Sequence, residues 1–241
     1  MDRGCQQLKG ENFVNDGKQL VYHEQENGKR IQWHTLSVPR GGEYKLVLAD
    51  GTRVWLNAAS ELMYPDHFSA DQRKVVLKGE AYFEVTKDVK RPFSVVLGDM
   101  EVKVLSTSFN VSAYPGVKRQ TTLIEGQVAV NWHRQQVVIR PGQQAAETDE
   151  GLRVASVNVM NYVGWKEHRF VYENKLLGEV LEDLERWYDV EVFVMHDEIR
   201  NLHLTANLPR YENMDKVLEI IEYAACVKFE VKGRTVVVRR D

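Results

Sequence analysis

Cysteine is scarce in this chain: Cys5 and Cys226 are the only two in 241 residues. Two thiols are too few for a disulfide scaffold, and they lack metal-ligand spacing. Cys226 follows Ala224 and Ala225 at the apolar end of a helical pattern, so it is expected to be a packed thiol. Long apolar runs are missing as well. No stretch approaches the roughly 18 consecutive apolar residues of a membrane span, and no apolar signal-peptide core follows Met1. An excess of basic charge is also absent, because the net charge is only -3. From Lys166 onward there are 12 Lys and Arg against 16 Asp and Glu, and the remainder holds 20 against 19. Neither part offers a phosphate-neutralising surface, so nucleic acid is not expected as a partner.

The signatures of catalysis are missing too. No Ser stands in a Gly-x-Ser-x-Gly elbow, and neither a Walker A loop nor a dinucleotide fingerprint is present. Gly41-Gly42 precedes a strand pattern, not a helix N-terminus, so it makes no phosphate cradle. None of the seven histidines pairs at the i, i+4 helix spacing of a zinc protease. His196-Asp197-Glu198 is the densest polar cluster, and a solvated loop is its default reading. Glu80 and Glu84 lie on one strand and point the same way. At about 3.3 Å per residue they stand roughly 13 Å apart, whereas glycosidase carboxylates need about 5 to 9.5 Å. That pair alone does not fit; partners from other strands stay open. No cofactor and no metal are expected.

What the chain does contain is ordinary globular material, with 43% hydrophobic and 28% charged residues. The first 33 residues are polar and Gly-containing and read as a linker, with Met1 to Gly4 as an artificial start. From about residue 34 to 160 the pattern is strand after strand. Tyr44, Leu46 and Leu48 alternate with polar residues, turn at Asp50-Gly51, and resume at Val54 and Leu56. Val75 and Leu77 lead through Lys78-Gly79 to Ala81, Phe83 and Val85. Leu123 leads through Glu125-Gly126 to Val128, Val130 and Trp132, and Val137 and Ile139 lead to Pro141-Gly142. Short alternating runs with Gly corners predict an all-β domain, either a twisted two-layer sandwich or a solenoid-like form.

Near Trp165 the period changes. Leu177, Val180, Leu181, Leu184 and Tyr188 recur on one helical face over 175–188, with Asn174 as a candidate N-cap. A second helix is predicted over 214–225, capped by Asn213, with Met214, Val217, Leu218 and Ile221 as its stripe. Strands at 169–172, 190–194 and 203–208 and a closing hairpin at Lys232-Gly233 complete the order β-α-β-β-α-β-β over 165–241. This is a small α+β domain of a size that can fold alone.

The strand motifs also carry a resemblance. Pro39-Arg40-Gly41-Gly42-Glu43-Tyr44, Leu48-Ala49-Asp50-Gly51-Thr52-Arg53-Val54-Trp55-Leu56-Asn57-Ala58 and Leu77-Lys78-Gly79-Glu80-Ala81-Tyr82-Phe83-Glu84-Val85 resemble FecR-type transmembrane anti-sigma factors. Arg91-Pro92-Phe93, Ser106-Thr107-Ser108-Phe109-Asn110-Val111, Thr122-Leu123-Ile124-Glu125-Gly126 and Pro141-Gly142-Gln143-Gln144-Ala145 continue the pattern in order. One departure is Ser106, which stands where the family has Gly. The part from Trp165 resembles the small domain after FecR, related to the secretin/TonB short N-terminal fold.

The resemblance implies a non-enzymatic periplasmic relay. Such proteins receive the signalling domain of a TonB-dependent outer-membrane transporter. They bind an extracytoplasmic-function sigma factor through a cytoplasmic segment, joined by one inner-membrane helix. Both of those segments are expected to lie outside this sequence. The residues themselves suggest where a partner sits. Leu176 and Trp187 edge the first helical stripe. Ile220 and Tyr223 fall outside the second, with Tyr223 nearly opposite it. Scatter, docking onto the β domain or contact with the signalling domain each explain that placement. Two rival functions remain: a carbohydrate-binding β-sandwich, which needs two or three exposed coplanar aromatics, and a glycoside-active enzyme, which needs carboxylates in one groove.

Overall fold

The computed structural model describes residues 8–9, 13–15, 19–22, 30–210 and 213–240. The chain divides into two compact units, Met1–Pro39 with Glu43–Val159, and Arg40–Gly42 with Met160–Asp241. Among the described residues, no helix is long and apolar enough to cross a membrane.

The first unit holds β1 (Leu8–Lys9), β2 (Phe13–Asn15), β3 (Gln19–Tyr22), β4 (Trp33–Val38), β5 (Tyr44–Val47), β6 (Arg53–Leu56), β7 (Ser60–Pro65) and β8 (Arg73–Glu84). It continues with β9 (Phe93–Leu97), β10 (Met100–Val104), β11 (Ser108–Ala113), β12 (Gln120–Glu125), β13 (Val128–Trp132), β14 (Gln135–Ile139), β15 (Gln143–Thr148) and β16 (Gly151–Ser156). One sheet runs β1-β2-β3-β5-β6-β8-β11-β12-β15-β16, and the other runs β4-β7-β8-β9-β10-β13-β14. Most pairings are antiparallel, and β3·β5 and β8·β9 are parallel. The unit is therefore the expected mainly β domain, and its chain passes back and forth between the two sheets.

Both sheets share β8. Its first half pairs with β7 and β9, and its second half with β6 and β11. The transfer falls at Gly79, whose φ is 91°. A Cβ there would stand 2.7 Å from the Ser60 Cα, so the corner needs glycine for space as well as for conformation. The faces meet in one core. Phe83 stacks on Phe109 at 5.1 Å and leans on Phe93 of the opposite sheet at 6.1 Å, with Val54, Val75 and Val102 packed in the same cluster.

A fully buried arginine sits at the edge of this core. Arg73 lies in phase with Val75 and Leu77 on the inward face of β8. Its Nη1 donates to Asp50 Oδ2 at 2.7 Å and to the Thr86 carbonyl at 2.8 Å. Nε donates to the Arg91 carbonyl and Nη2 to that of Leu105. Asp50 also accepts from the Thr52 backbone N–H and hydroxyl. The Asp50-Gly51-Thr52 turn is thus an anchor for three loops, a role that explains why Asp and Thr flank its glycine.

One expectation changes in this unit. The presumed linker contains β3, which pairs parallel with β5, and its Leu20 is buried in the core. Leu20 and Val21 are the apolar pair that the polar composition around them obscured. The reading of Met1 to Gly4 as an artificial start lies outside the described residues. Ser106 is not among the residues with positive φ, so its position does not require the family's glycine.

The second unit has α1 (Met160–Val163), a 3-10 turn at Gly164–Glu167, β17 (Arg169–Leu176), α2 (Leu177–Tyr188), β18 (Glu191–Val194), a 3-10 turn at Asp197–Asn201, β19 (His203–Pro209), α3 (Met214–Ala225), β20 (Val227–Lys232) and β21 (Thr235–Arg240). From β17 onward the order is the predicted β-α-β-β-α-β-β. β17 and β19 form a two-stranded sheet, and β18-β21-β20 form a three-stranded one. Leu177, Val180, Leu181 and Leu184 of α2 share a core with Val217, Leu218 and Ile221 of α3. Asn213 caps α3 as expected, accepting from the Asp215 N–H at 2.8 Å.

Asn174 does not cap α2. It sits within β17 at φ 51°, where the β17·β19 register shifts, and its N–H donates to Thr205 Oγ1. Asparagine suits both an N-cap and the left-handed region, and the facing strand decides between them. Cys226 is exposed. It is the left-handed C-cap of α3 at φ 52°, and that turn carries its side chain away from the apolar stripe.

Candidate partner-contact surface

Helix α3 buries one face and leaves the other bare. Val217, Leu218 and Ile221 are buried, whereas Ile220 is 39% exposed and Tyr223 91% exposed. The pair stands three residues apart and therefore shares one face of the helix. A tyrosine this exposed keeps nearly all its apolar ring in water, which a partner's surface would relieve.

The other two candidates differ. Trp187 is half-buried against the core, with the Arg210 guanidinium 3.2 Å above its ring. Leu176 is half-buried at the end of β17, opposite His203. Neither joins the α3 face. Sequence reasoning also missed two exposed apolar residues, Phe193 at 56% and Met195 at 61%. They alternate with half-buried Val192 and Val194, so the period-2 pattern of β18 carried the signal.

The carboxylates weighed for catalysis are occupied in place. Glu80 accepts from Asn57 Nδ2 at 2.7 Å and Asn110 Nδ2 at 2.9 Å, while Glu84 pairs with Arg53 at 2.6 Å. Glu198 pairs with Arg240 at 3.2 Å. The tryptophans do not form one platform. Trp55 meets Tyr82 edge-on, Trp132 lies beside Arg119, and Trp165 is buried.

Charge also ties the two sheets of the first unit together. Arg119 donates to Glu147 at 2.6 Å, to the Leu97 carbonyl at 2.6 Å, and to Asp99. Trp132 Nε1 adds a bond to Asp99 at 3.0 Å. The Arg119 hydrogen bond, then that of Trp132, pulls the Asp99 carboxyl down to about 2. Arg119 likewise holds Glu147 below the usual carboxylate range. A carboxylate depressed in the folded state contributes stability above its unfolded value and loses it as pH falls through the folded one. The melting temperature should therefore drop between about pH 4 and pH 2, and Asp99→Asn should flatten that drop. Thermal melts across pH 7 to 2 on both proteins check this; identical slopes would refute it. Asp99 is half exposed, so solvent screening keeps the effect small at neutral pH.

Two family models match the chain: "FecR protein" over residues 34–129 and "FecR, C-terminal" over residues 169–238. The chain belongs to the FecR family. Two solved structures of a candidate anti-sigma factor from Parabacteroides distasonis ATCC 8503 are similar to it. The 1.65 Å structure has a TM-score of 0.80 at 26% identity and covers 86% of this chain and 99% of its own. The 2.50 Å structure has a TM-score of 0.81 at 26% identity and covers 87% and 100%. No curated protein matches by sequence. These findings support a signalling role as an anti-sigma factor. They also give the FecR motifs a physical reading, since Asp50 with Thr52 and Asn57 with Glu80 and Asn110 are the polar ties of the β-rich unit.

Proposed function

We propose that this FecR-family chain is the periplasmic relay of an anti-sigma factor. Its partner is the signalling domain of a TonB-dependent outer-membrane transporter. The change on binding passes to an inner-membrane helix and a cytoplasmic segment beyond these 241 residues, and so to an extracytoplasmic-function sigma factor. It acts by protein contact and catalyses nothing. The single observation that carries the reading is the α3 face, where Tyr223 is 91% exposed beside Ile220 on a helix whose opposite stripe buries Val217, Leu218 and Ile221. An aromatic and an aliphatic residue on a rigid element form a suitable hot spot.

The test is the double substitution Ile220→Ser with Tyr223→Ser. Binding of the signalling domain, measured by calorimetry, should weaken about tenfold or more. The melting temperature should hold, because substitutions at exposed positions usually stay within about 0.5 kcal/mol. Unchanged binding by a folded variant would remove this face from the interface.

A further inference from the structure

The C-terminal unit contains an internal duplication. Both α2 and α3 have 12 residues, and each ends in a left-handed cap, Asp189 and Cys226, followed by a strand. At a single constant offset, Val180, Leu181, Glu182, Glu185, Val190 and Val194 match Val217, Leu218, Glu219, Glu222, Val227 and Val231. The apolar matches are core and strand positions. Glu185 and Glu222 are different in kind.

Each of these glutamates uses two groups. Its backbone carbonyl accepts from the cap residue's N–H, Asp189 for Glu185 and Cys226 for Glu222. Its carboxylate reaches past the cap to an N–H of the next strand. Glu185 Oε1 accepts from Val192 at 2.7 Å, and Glu222 Oε1 accepts from Phe229 at 2.6 Å. Both strands are edges of the three-stranded sheet, because β18 and β20 each pair only with β21. Both amides point outward. Glu191 donates inward to the Arg234 carbonyl just before β21 and Met195 to that of Val238 within it, and amides alternate along a strand, so Val192 faces away. In the β20–β21 hairpin, Lys232 and Thr235 flank the two-residue turn; alternation from that closing pair turns Phe229 outward.

A carboxylate near a helix C-terminus faces the negative end of the helix dipole, which disfavours it. Both copies of the duplication place one there, and both direct it to an edge amide. Unpaired edge amides are templates for further strands, and charged groups at the edge are a known means of blunting them. We propose that Glu185 and Glu222 are edge guards. Each carboxylate occupies an outward amide of the three-stranded sheet and stops a second copy of this chain from adding there as a strand.

The test uses the full chain. Hydrogen exchange followed by NMR should find Phe229 and Val192 slow, and Val231 and Val194, the next outward amides on the same edges, fast. Glu222→Ala should speed exchange at Phe229 about tenfold or more, the equivalent of one charge-assisted hydrogen bond. In sedimentation the unaltered chain should run as a monomer, and Glu222→Ala should add concentration-dependent self-association. Glu222→Gln keeps an acceptor oxygen and should preserve both protection and monomer. Glu185→Ala should act the same way at Val192. The proposal is overturned if Phe229 exchanges as fast as Val231 in the unaltered chain, a comparison that needs no substitution. It is equally overturned if Glu222→Ala leaves exchange unchanged, or unprotects Phe229 while the chain stays monomeric.

Discussion

Replacing Arg73 with methionine should destabilise the β-rich unit by roughly 3–5 kcal/mol, the range for breaking a buried ion pair from one side. The side chain is completely buried, and its partner Asp50 is 5% exposed. Methionine fills much of the volume but donates nothing. The carbonyls of Thr86, Arg91 and Leu105 would lose their donor, and the Asp50 carboxylate would stay buried with only Thr52 beside it. The double variant Asp50→Asn with Arg73→Met should recover part of the loss, because it removes the orphaned charge. Chemical denaturation followed by circular dichroism measures both. A loss below about 1 kcal/mol for the single variant would give the pair only the weight of a surface salt bridge.

Leu184→Ala should cost the C-terminal unit roughly 2–5 kcal/mol, as deletions of buried leucine do elsewhere. Leu184 is 1% exposed and sits in the middle of the α2 stripe, within the cluster that also holds Val180, Val217 and Ile221. A domain this small melts about 4–8 °C lower for each kcal/mol lost, so the shift in its melting temperature should be large. An unchanged melting temperature would put this face of α2 in solvent.

The helices and strands of both units were legible because their patterns are local. Val217, Leu218 and Ile221 recur at helical period, and the Gly corners at Gly51, Gly79, Gly126, Gly142 and Gly233 all take positive φ. Asn174 was not legible, since the strand that holds it in a bulge arrives some thirty residues later at Thr205. Cys226 misled because two alanines before it extend the apolar pattern, while the left-handed cap ends the helix first. Arg73 shared the inward phase of Val75 and Leu77, so its burial was implied; its partner on another turn was not. At the candidate surface, the α3 face followed from the helical wheel. Trp187 did not, because its partner Arg210 comes just after β19.

The proposed binding of this FecR-family chain to the signalling domain of a TonB-dependent transporter is open to one direct measurement, calorimetric titration of the chain with the purified signalling domain of the transporter encoded nearby. Saturable binding with one domain per chain is expected, weakened by Ile220→Ser with Tyr223→Ser. Absence of binding between two folded, monodisperse proteins would contradict it.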